Sequence, residues 1–236
     1  TLSLGYLNNQ GIVIKSEFDR INARANIMHT VKDFIHVGAS LTYTHAEKRG
    51  GGNLRTYAQT VPTMDYVEDG VFYSMPIVLP DGSWGHFYNA GANGDVNSSQ
   101  DNWVAAAYED TGINKWNRLL ASGTLQLDLY KGLTFKTIGS YNFFASDANE
   151  YTPYNDRMYA SKDRKDSFYI NQSQTNELGI ESFLNYDWSN DLHHVSAMAG
   201  FSASHYKRSW VNSSASDFPA PNIRVISLTN DPATRE

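Results

Sequence analysis

The run LASGTLQLDLYKGLTFKTIGSYNFF, residues 120–144, holds two stretches in which apolar and polar side chains alternate, hinged on Tyr130-Lys131-Gly132. Leu119, Ala121, Gly123, Leu125, Leu127 and Leu129 share one side of the first stretch, against Ser122, Thr124, Gln126 and Asp128. In the second, Leu133, Phe135, Thr137, Gly139, Tyr141 and Phe143 stand against Lys136, Ser140 and Asn142. Successive side chains of a strand point to opposite faces, so this period of two predicts a hairpin with one oily and one wet face. What the oily face meets has to be read from the neighbours.

The same alternation recurs along the chain, and long helical periodicity does not. Leu2, Leu4 and Tyr6 open a short strand over residues 2–8, followed by a Gly-containing loop over residues 9–19. A second strand over residues 20–31 sets Ile21, Ala23, Ala25 and Ile27 against Asn22, Arg24 and Asn26. After a tight turn at Lys32-Asp33, residues 34–46 place Ile35, Val37, Ala39, Leu41 and Tyr43 against His36, Ser40 and Thr42. Residues 47–115 read as one long loop, with Gly50-Gly51-Gly52 and the turn Pro80-Asp81-Gly82-Ser83. Beyond the quoted hairpin come a polar loop over residues 145–175, a strand over 176–187, the turn Ser189-Asn190-Asp191 and a seventh strand from Val195. Everything after Tyr206 reads as loop.

Tight turns therefore alternate with long connections. Soluble sandwiches scatter long and short loops over both ends, whereas outer-membrane barrels keep tight turns on the periplasmic side and long loops outside. Tilted strands of about ten residues also match the thickness of a bilayer's hydrocarbon layer. With the tight turns at the periplasmic end, Phe34, Tyr130, Tyr186 and Trp188 fall near one interface and Tyr6, Tyr43, Phe143 and Tyr206 near the other, as two aromatic girdles. A soluble β domain would use the same residue types in its strands.

Composition sets limits without deciding the fold. Only 41% of the 236 residues are hydrophobic, mean hydropathy is −0.48, and no run approaches the ~18 apolar residues of a membrane-spanning helix. Barrel strands escape such a test, because only every second residue is apolar. A net charge of −6 with no Lys/Arg-rich run argues against nucleic acid as a partner. The absence of cysteine removes thiol chemistry and thiolate metal sites. The chain opens in mid-alternation without an initiator Met or leader and ends on no closed element, and is expected to be a piece of a longer protein.

No catalytic set converges in the sequence. His193-His194 starts a strand, where the two rings point to opposite faces, and the other histidines are scattered. Residues 95–101 begin like a calcium loop, but Gln100 stands where the turn glycine is needed and Ala106 where the bidentate Glu belongs. Asp128, Glu177 and Glu181 are read as residues of a wet wall rather than a glycosidase acid–base pair. Three Asn-x-Ser sequons, at Asn97, Asn171 and Asn212, are chance matches in an Asn/Ser-rich chain. The substrate-contact candidates are exposed rings of the longest loop, Trp84, Tyr88 and Trp103, suited to stacking on sugars or gripping peptide side chains. No cofactor or metal is expected.

The stretch SLGYLNNQGIVIKSEFDRINARANI resembles the SusC/RagA-type TonB-dependent transporters of Bacteroidota outer membranes, around a G-Y-x-N-x-x-G-I core at residues 5–12 and an Arg-x-Asn-x-Arg run at residues 20–24. VKDFIHVGASLTYTHA, YKGLTFKTIGSYNF and HHVSAMAGFSAS are similar to that family's later hairpins, in the same order. The resemblance implies part of an all-β antiparallel transmembrane barrel of about 22 strands, with this chain as a partial barrel domain of seven strands over residues 1–236. It also implies a plug and further strands outside this sequence, a SusD-like lipoprotein lid, the TonB complex engaging the missing N-terminal region, and membrane lipid around the wall. The expected function is outer-membrane import of oligosaccharides or oligopeptides without covalent chemistry. The alternative is a non-transporting carbohydrate-binding module or adhesin.

Overall fold

The computed structural model describes residues 1–50, 63–68, 71–76, 78, 80–82, 84, 103–109, 111–153, 165–220 and 223–230. Seven strands form one antiparallel meander in which each pairs with its predecessor: β1 (Leu2–Gln10), β2 (Glu17–Lys32), β3 (Ile35–Arg49), β6 (Thr111–Tyr130), β7 (Leu133–Thr152), β8 (Ser167–Ser189) and β9 (His194–Ser216). Between β3 and β6 lie a separate hairpin, β4 (Thr63–Glu68) with β5 (Val71–Pro76), and a short helix α1 (Trp103–Glu109).

The ladder registers turn the alternation of single strands into continuous rows. Leu2, Ala25, Leu41, Ala121, Tyr141 and Leu178 lie side by side, and Ile35, Leu127, Phe135, Leu184 and Ala199 form a row nearer the tight turns. The rows between them on the other face are polar, such as Asn26, Ser40, Ser122, Ser140 and Ser204 around Gly179. Leu2 and Leu4 are 79% exposed, and Ile27 and Phe201 65%. A continuous apolar face of this kind is stable only when covered by an apolar medium.

That face has a membrane's thickness. From Leu178 to Trp188 it spans ten residue steps, which at ~3.4 Å per residue and a tilt of ~40° is roughly 26 Å. Tyr186 and Trp188 edge it at the turn end. At the other end the hydroxyls of Tyr43 and Tyr141 donate to Asn117 Oδ1 (2.8 Å) and Asn176 Oδ1 (2.9 Å), and Tyr6 donates to Asp19 Oδ1 (3.2 Å). Each ring lies in the oily band while its hydroxyl reaches the first wet row, the arrangement of an interfacial aromatic. The all-β transmembrane wall expected from the sequence is the fold observed, as an open sheet within this chain.

Three expectations need correction. Tyr206 does not join the outer girdle, because its register with Glu177, Asn142 and Leu120 puts it on the polar face. The strands are not about ten residues long: β6 and β7 have 20 residues, and β8 and β9 have 23. Residues read as loops therefore belong to the ladder, including Ser213 paired with Ile170, Ala148 with Asn171, and Glu47 with Lys115. Beyond the bilayer both faces are wet, so hydropathy stops alternating while the backbone hydrogen bonds continue. The connection from β1 to β2 shrinks for the same reason to residues 11–16.

The tight turns are fixed by specific residues. Gly132 has φ +77, and its carbonyl accepts from Asp187 N–H of β8 (2.8 Å), which ties this turn to the neighbouring hairpin. Asn190 Oδ1 accepts from the N–H groups of Leu192 and His193 in an Asx turn between β8 and β9. A register shift lies beside each of the other two turns, at Thr30/Lys32 and Asp128/Tyr130, where a bulge sharpens the local twist.

Candidate functional site

The polar face is built by even-numbered residues of β2, β3, β6 and β7 and odd-numbered residues of β8, which the apolar band forces away from lipid. Near the tight turns Asp128 is its best-held carboxylate: it accepts from His36 Nε2 (3.1 Å), Gln126 Nε2 (3.2 Å) and Thr134 Oγ1 (3.3 Å). Asn142 Nδ2 donates to Glu177 Oε2 (3.2 Å), and Arg118 Nε donates to Asn142 Oδ1 (3.4 Å). These contacts solvate a wall. Among the described residues no three His, Cys, Asp or Glu converge on a point.

In the outer half of the same face, four adjacent rows collect cations. Arg24 shares a row with Thr42 and Leu120; Arg118 and Arg208 share the next with Phe144 and Thr175; Arg20 aligns with Trp116, Ser173 and Trp210; and Lys48 aligns with Phe18 and Asn114. Glu177 is the one carboxylate in these four rows. Phe18 and Trp116 stack at 5.9 Å, and Arg208 lies 5.8 Å from the centre of the Trp210 ring. Trp210 is 63% exposed.

A second construction stands at the outer tips. Tyr151, Phe168, Ala215 and Phe218 form a buried cluster, with Phe168 and Phe218 edge to face at 6.4 Å. Asp217, at φ +63, ends β9 and turns the chain back: its N–H donates to the Asp166 carbonyl (3.1 Å) and its own carbonyl accepts from Asn230 N–H (2.8 Å). Buried Asp166 accepts from the Tyr151 hydroxyl (3.1 Å) on one oxygen and from Phe218 N–H (3.0 Å) on the other. Arg224 lies 4.1 Å over the Tyr151 ring and donates to Thr111 Oγ1 (3.2 Å). Residues after β9 thus strap the ends of β6, β7 and β8 together. Burial, then the hydrogen bond to Asp166, pushes the Tyr151 hydroxyl up to about 12. On the opposite face Glu47 bonds to Arg49 Nε (2.5 Å) and pairs with Lys115 Nζ (3.3 Å), and the bond to Arg49 holds its carboxyl below the usual range.

Of the predicted contact residues, Trp84 is half-buried, forms an isolated bridge with Val78 and packs its ring 5.3 Å from that of Tyr108. Lys15, from the β1–β2 connection, donates to the Tyr108 carbonyl and lies 5.6 Å from that ring. Two connections, β1 to β2 and β3 to β6, meet there, and sequence reasoning had singled out only Trp84. Trp103 is the first residue of α1, but its side chain lies outside the described residues, as do Tyr88 and the calcium-like run of residues 95–101. Trp116, Arg118, Arg208 and Trp210 were not singled out, since Arg208 and Trp210 sit in a stretch read as loop and Trp116 and Arg118 lie just before the alternation that opens at Leu119. Their one signal was residue parity continued outward from the apolar band.

No protein-family model matches the chain. It is 25% identical over 236 residues, 96% of its length, to the TonB-dependent receptor P39 of Formosa agariphila, of which it covers 19%. Among solved structures, the RagAB peptide transporter superposes on the whole chain with TM-score 0.72 at 16% identity, and the RagAB peptide importer in the 'open-open' state with TM-score 0.71 at 17%. The chain covers 26% and 25% of those chains, so it spans about a fifth to a quarter of the proteins it matches. The chain thus has the fold of a segment of the RagAB transporter's wall, and along nearly all of its sequence it resembles a TonB-dependent receptor.

Proposed function

We propose that this chain is a stretch of wall from a bacterial outer-membrane importer that takes up oligosaccharides or oligopeptides, in a TonB-coupled cycle driven by the proton motive force, with a SusD-like lipoprotein as its lid. The observation that carries this reading is the two-zone wall. Over a membrane-thick band one face is oily and edged by aromatics; beyond it the same strands continue for about ten residues with both faces wet. A module that merely binds glycans needs no lipid-facing band. The wall supplies containment, the polar face a wet passage, and the outer loops the first contacts, Trp84, Tyr88 and Trp103 among them. No group in it carries out covalent chemistry.

The test uses the whole protein in its source bacterium. The protein is expected in the detergent-extracted outer membrane, next to a lipoprotein encoded by a neighbouring gene, and its deletion is expected to abolish uptake of a fluorescent oligosaccharide or peptide. Recovery as a soluble protein without detergent would remove the barrel reading. Surface binding of the probe without internal accumulation, in cells with intact TonB, would favour the adhesin alternative.

A further inference from the structure

The inner face of the outer wall is strongly cationic, although the whole chain carries a net −6. Over the four outer rows of the inner, polar face, Arg20, Arg24, Lys48, Arg118 and Arg208 stand against one carboxylate, Glu177. At the same height the opposite face mixes signs, with Glu17, Asp19, Glu47 and Asp147 beside Arg49, Lys115 and Lys207. Closer to the tight turns the inner face carries Glu181 and Asp128 beside Lys136. The cations therefore form a belt at one depth.

None of these five cations forms an ion pair with a carboxylate among the described residues. Glu177, the nearest candidate, accepts from Asn142 instead, and Arg208 lies over the Trp210 ring. All four arginines are exposed on the wall. Arg118 and Arg208 share a row three strands apart, about 14 Å at ~4.8 Å per strand. Exposed guanidinium forks at that spacing match acidic groups several units apart along one extended ligand, since Arg binds carboxylate and sulfate in a planar, bidentate way. Between and above them stand open ring faces, Tyr206 at 59% and Trp210 at 63% exposure, and amides such as Asn114 and Asn212. Flat rings and amides suit a hydroxyl-rich sugar.

Resting on the import reading above, we propose that this belt selects an anionic oligosaccharide, one bearing carboxylate or sulfate groups, as it passes along the inner wall. The test compares three probes for binding to the whole transporter in detergent by calorimetry: a hexameric oligouronate, the same chain with its carboxyls reduced to alcohols, and hexaglutamate. Wild type is expected to prefer the oligouronate to its reduced form by at least about tenfold, and to bind it less as salt rises. Arg118→Gln with Arg208→Gln is expected to remove that preference while leaving weak binding of the neutral chain. Arg118→Lys with Arg208→Lys is expected to restore part of it. Retention of the folded, heat-modifiable band on gels shows that the variants still form the barrel.

Equal loss of charged and neutral ligand in the Gln variant would make the arginines mere parts of the wall and overturn the proposal. Preference for hexaglutamate over the oligouronate would overturn it in favour of an acidic peptide. Wild type binding the reduced chain as tightly as the charged one overturns the anion selection and leaves import standing, whereas binding of none of the three removes both.

Discussion

The sharpest consequence of the row structure is that adjacent residues on β6 should respond oppositely to the same charge. Leu125 lies in the row with Val37, Thr137 and Ser182, close to the middle of the apolar band from Leu119 to Leu129, while Thr124 is on the other face with Gly38 and Ile138. Placing Arg at the lipid-facing midplane of a barrel costs about 2–4 kcal/mol, and losing the leucine's transfer from water adds about 1.5–3 kcal/mol. Leu125→Arg is therefore expected to cost about 3.5–7 kcal/mol, a drop in folding equilibrium of roughly 2.5 to 5 decades at ~1.4 kcal/mol per decade. Thr124→Arg meets water and should stay within about 1 kcal/mol. Leu119→Arg, in the row of Tyr43 and Asn176, lies at the interface and should fall between them. The assay is guanidinium unfolding of the whole protein in phospholipid vesicles, followed by tryptophan fluorescence and by the shift of the unheated band on gels. If Thr124→Arg proves as damaging as Leu125→Arg, the assignment of faces is wrong, and the lipid-facing reading goes with it.

Other outcomes follow from single residues. At Gly132 a Cβ would lie 1.9 Å from the Asp187 carbonyl oxygen, and φ is +77; Gly132→Ala should cost about 2–4 kcal/mol through the left-handed backbone and the displaced hydrogen bond from Asp187, read in the same unfolding assay. The Tyr151 hydroxyl, raised from 10.0 to about 12, contributes its full stabilisation below pH 10 and loses it as pH rises through 12. An alkaline titration of phenolate absorbance, wild type minus Tyr151→Phe, should show this ring ionising after the exposed tyrosines, and titration near 10 would contradict the buried clasp. Glu47, held low by Arg49 and Lys115, acts in the reverse sense: its pairing is present above the ordinary carboxylate range and is lost only as pH falls through its depressed value. Its carboxyl signal, followed by isotope-edited infrared spectroscopy, should therefore titrate at lower pH than in an Arg49→Gln variant.

The fold was legible where lipid imposes a rule. From Leu119 to Leu129, and from Leu133 to Phe143, one face has to be oily, so hydropathy alone gave the strands, their faces and the turn. Outside that band the rule lapses. Ala145 to Thr152 and Lys207 to Ser216 have water on both sides, and their strand character resides in backbone pairing that composition does not report. The candidate contact residues fared similarly: Trp84 is legible as a loop ring, but its neighbours Tyr108 and Lys15 are brought to it by chain folding rather than by spacing. The clasp on Asp166 was illegible for the same reason, since Tyr151, Phe168 and Phe218 come from three separate stretches of chain.

The continuation of these strands beyond the oily band also separates two kinds of selection. Residues between Leu119 and Leu129 must satisfy the bilayer, so substitutions there are filtered by insertion into the membrane. Residues such as Trp116 and Arg208 are held in place by a ladder that does not depend on their side chains, and neither of their faces has to please lipid. The outer wall is thus free to exchange one surface chemistry for another while the membrane-embedded part stays as it is, and a barrel wall built this way can change its outer chemistry without having to relearn how to fold.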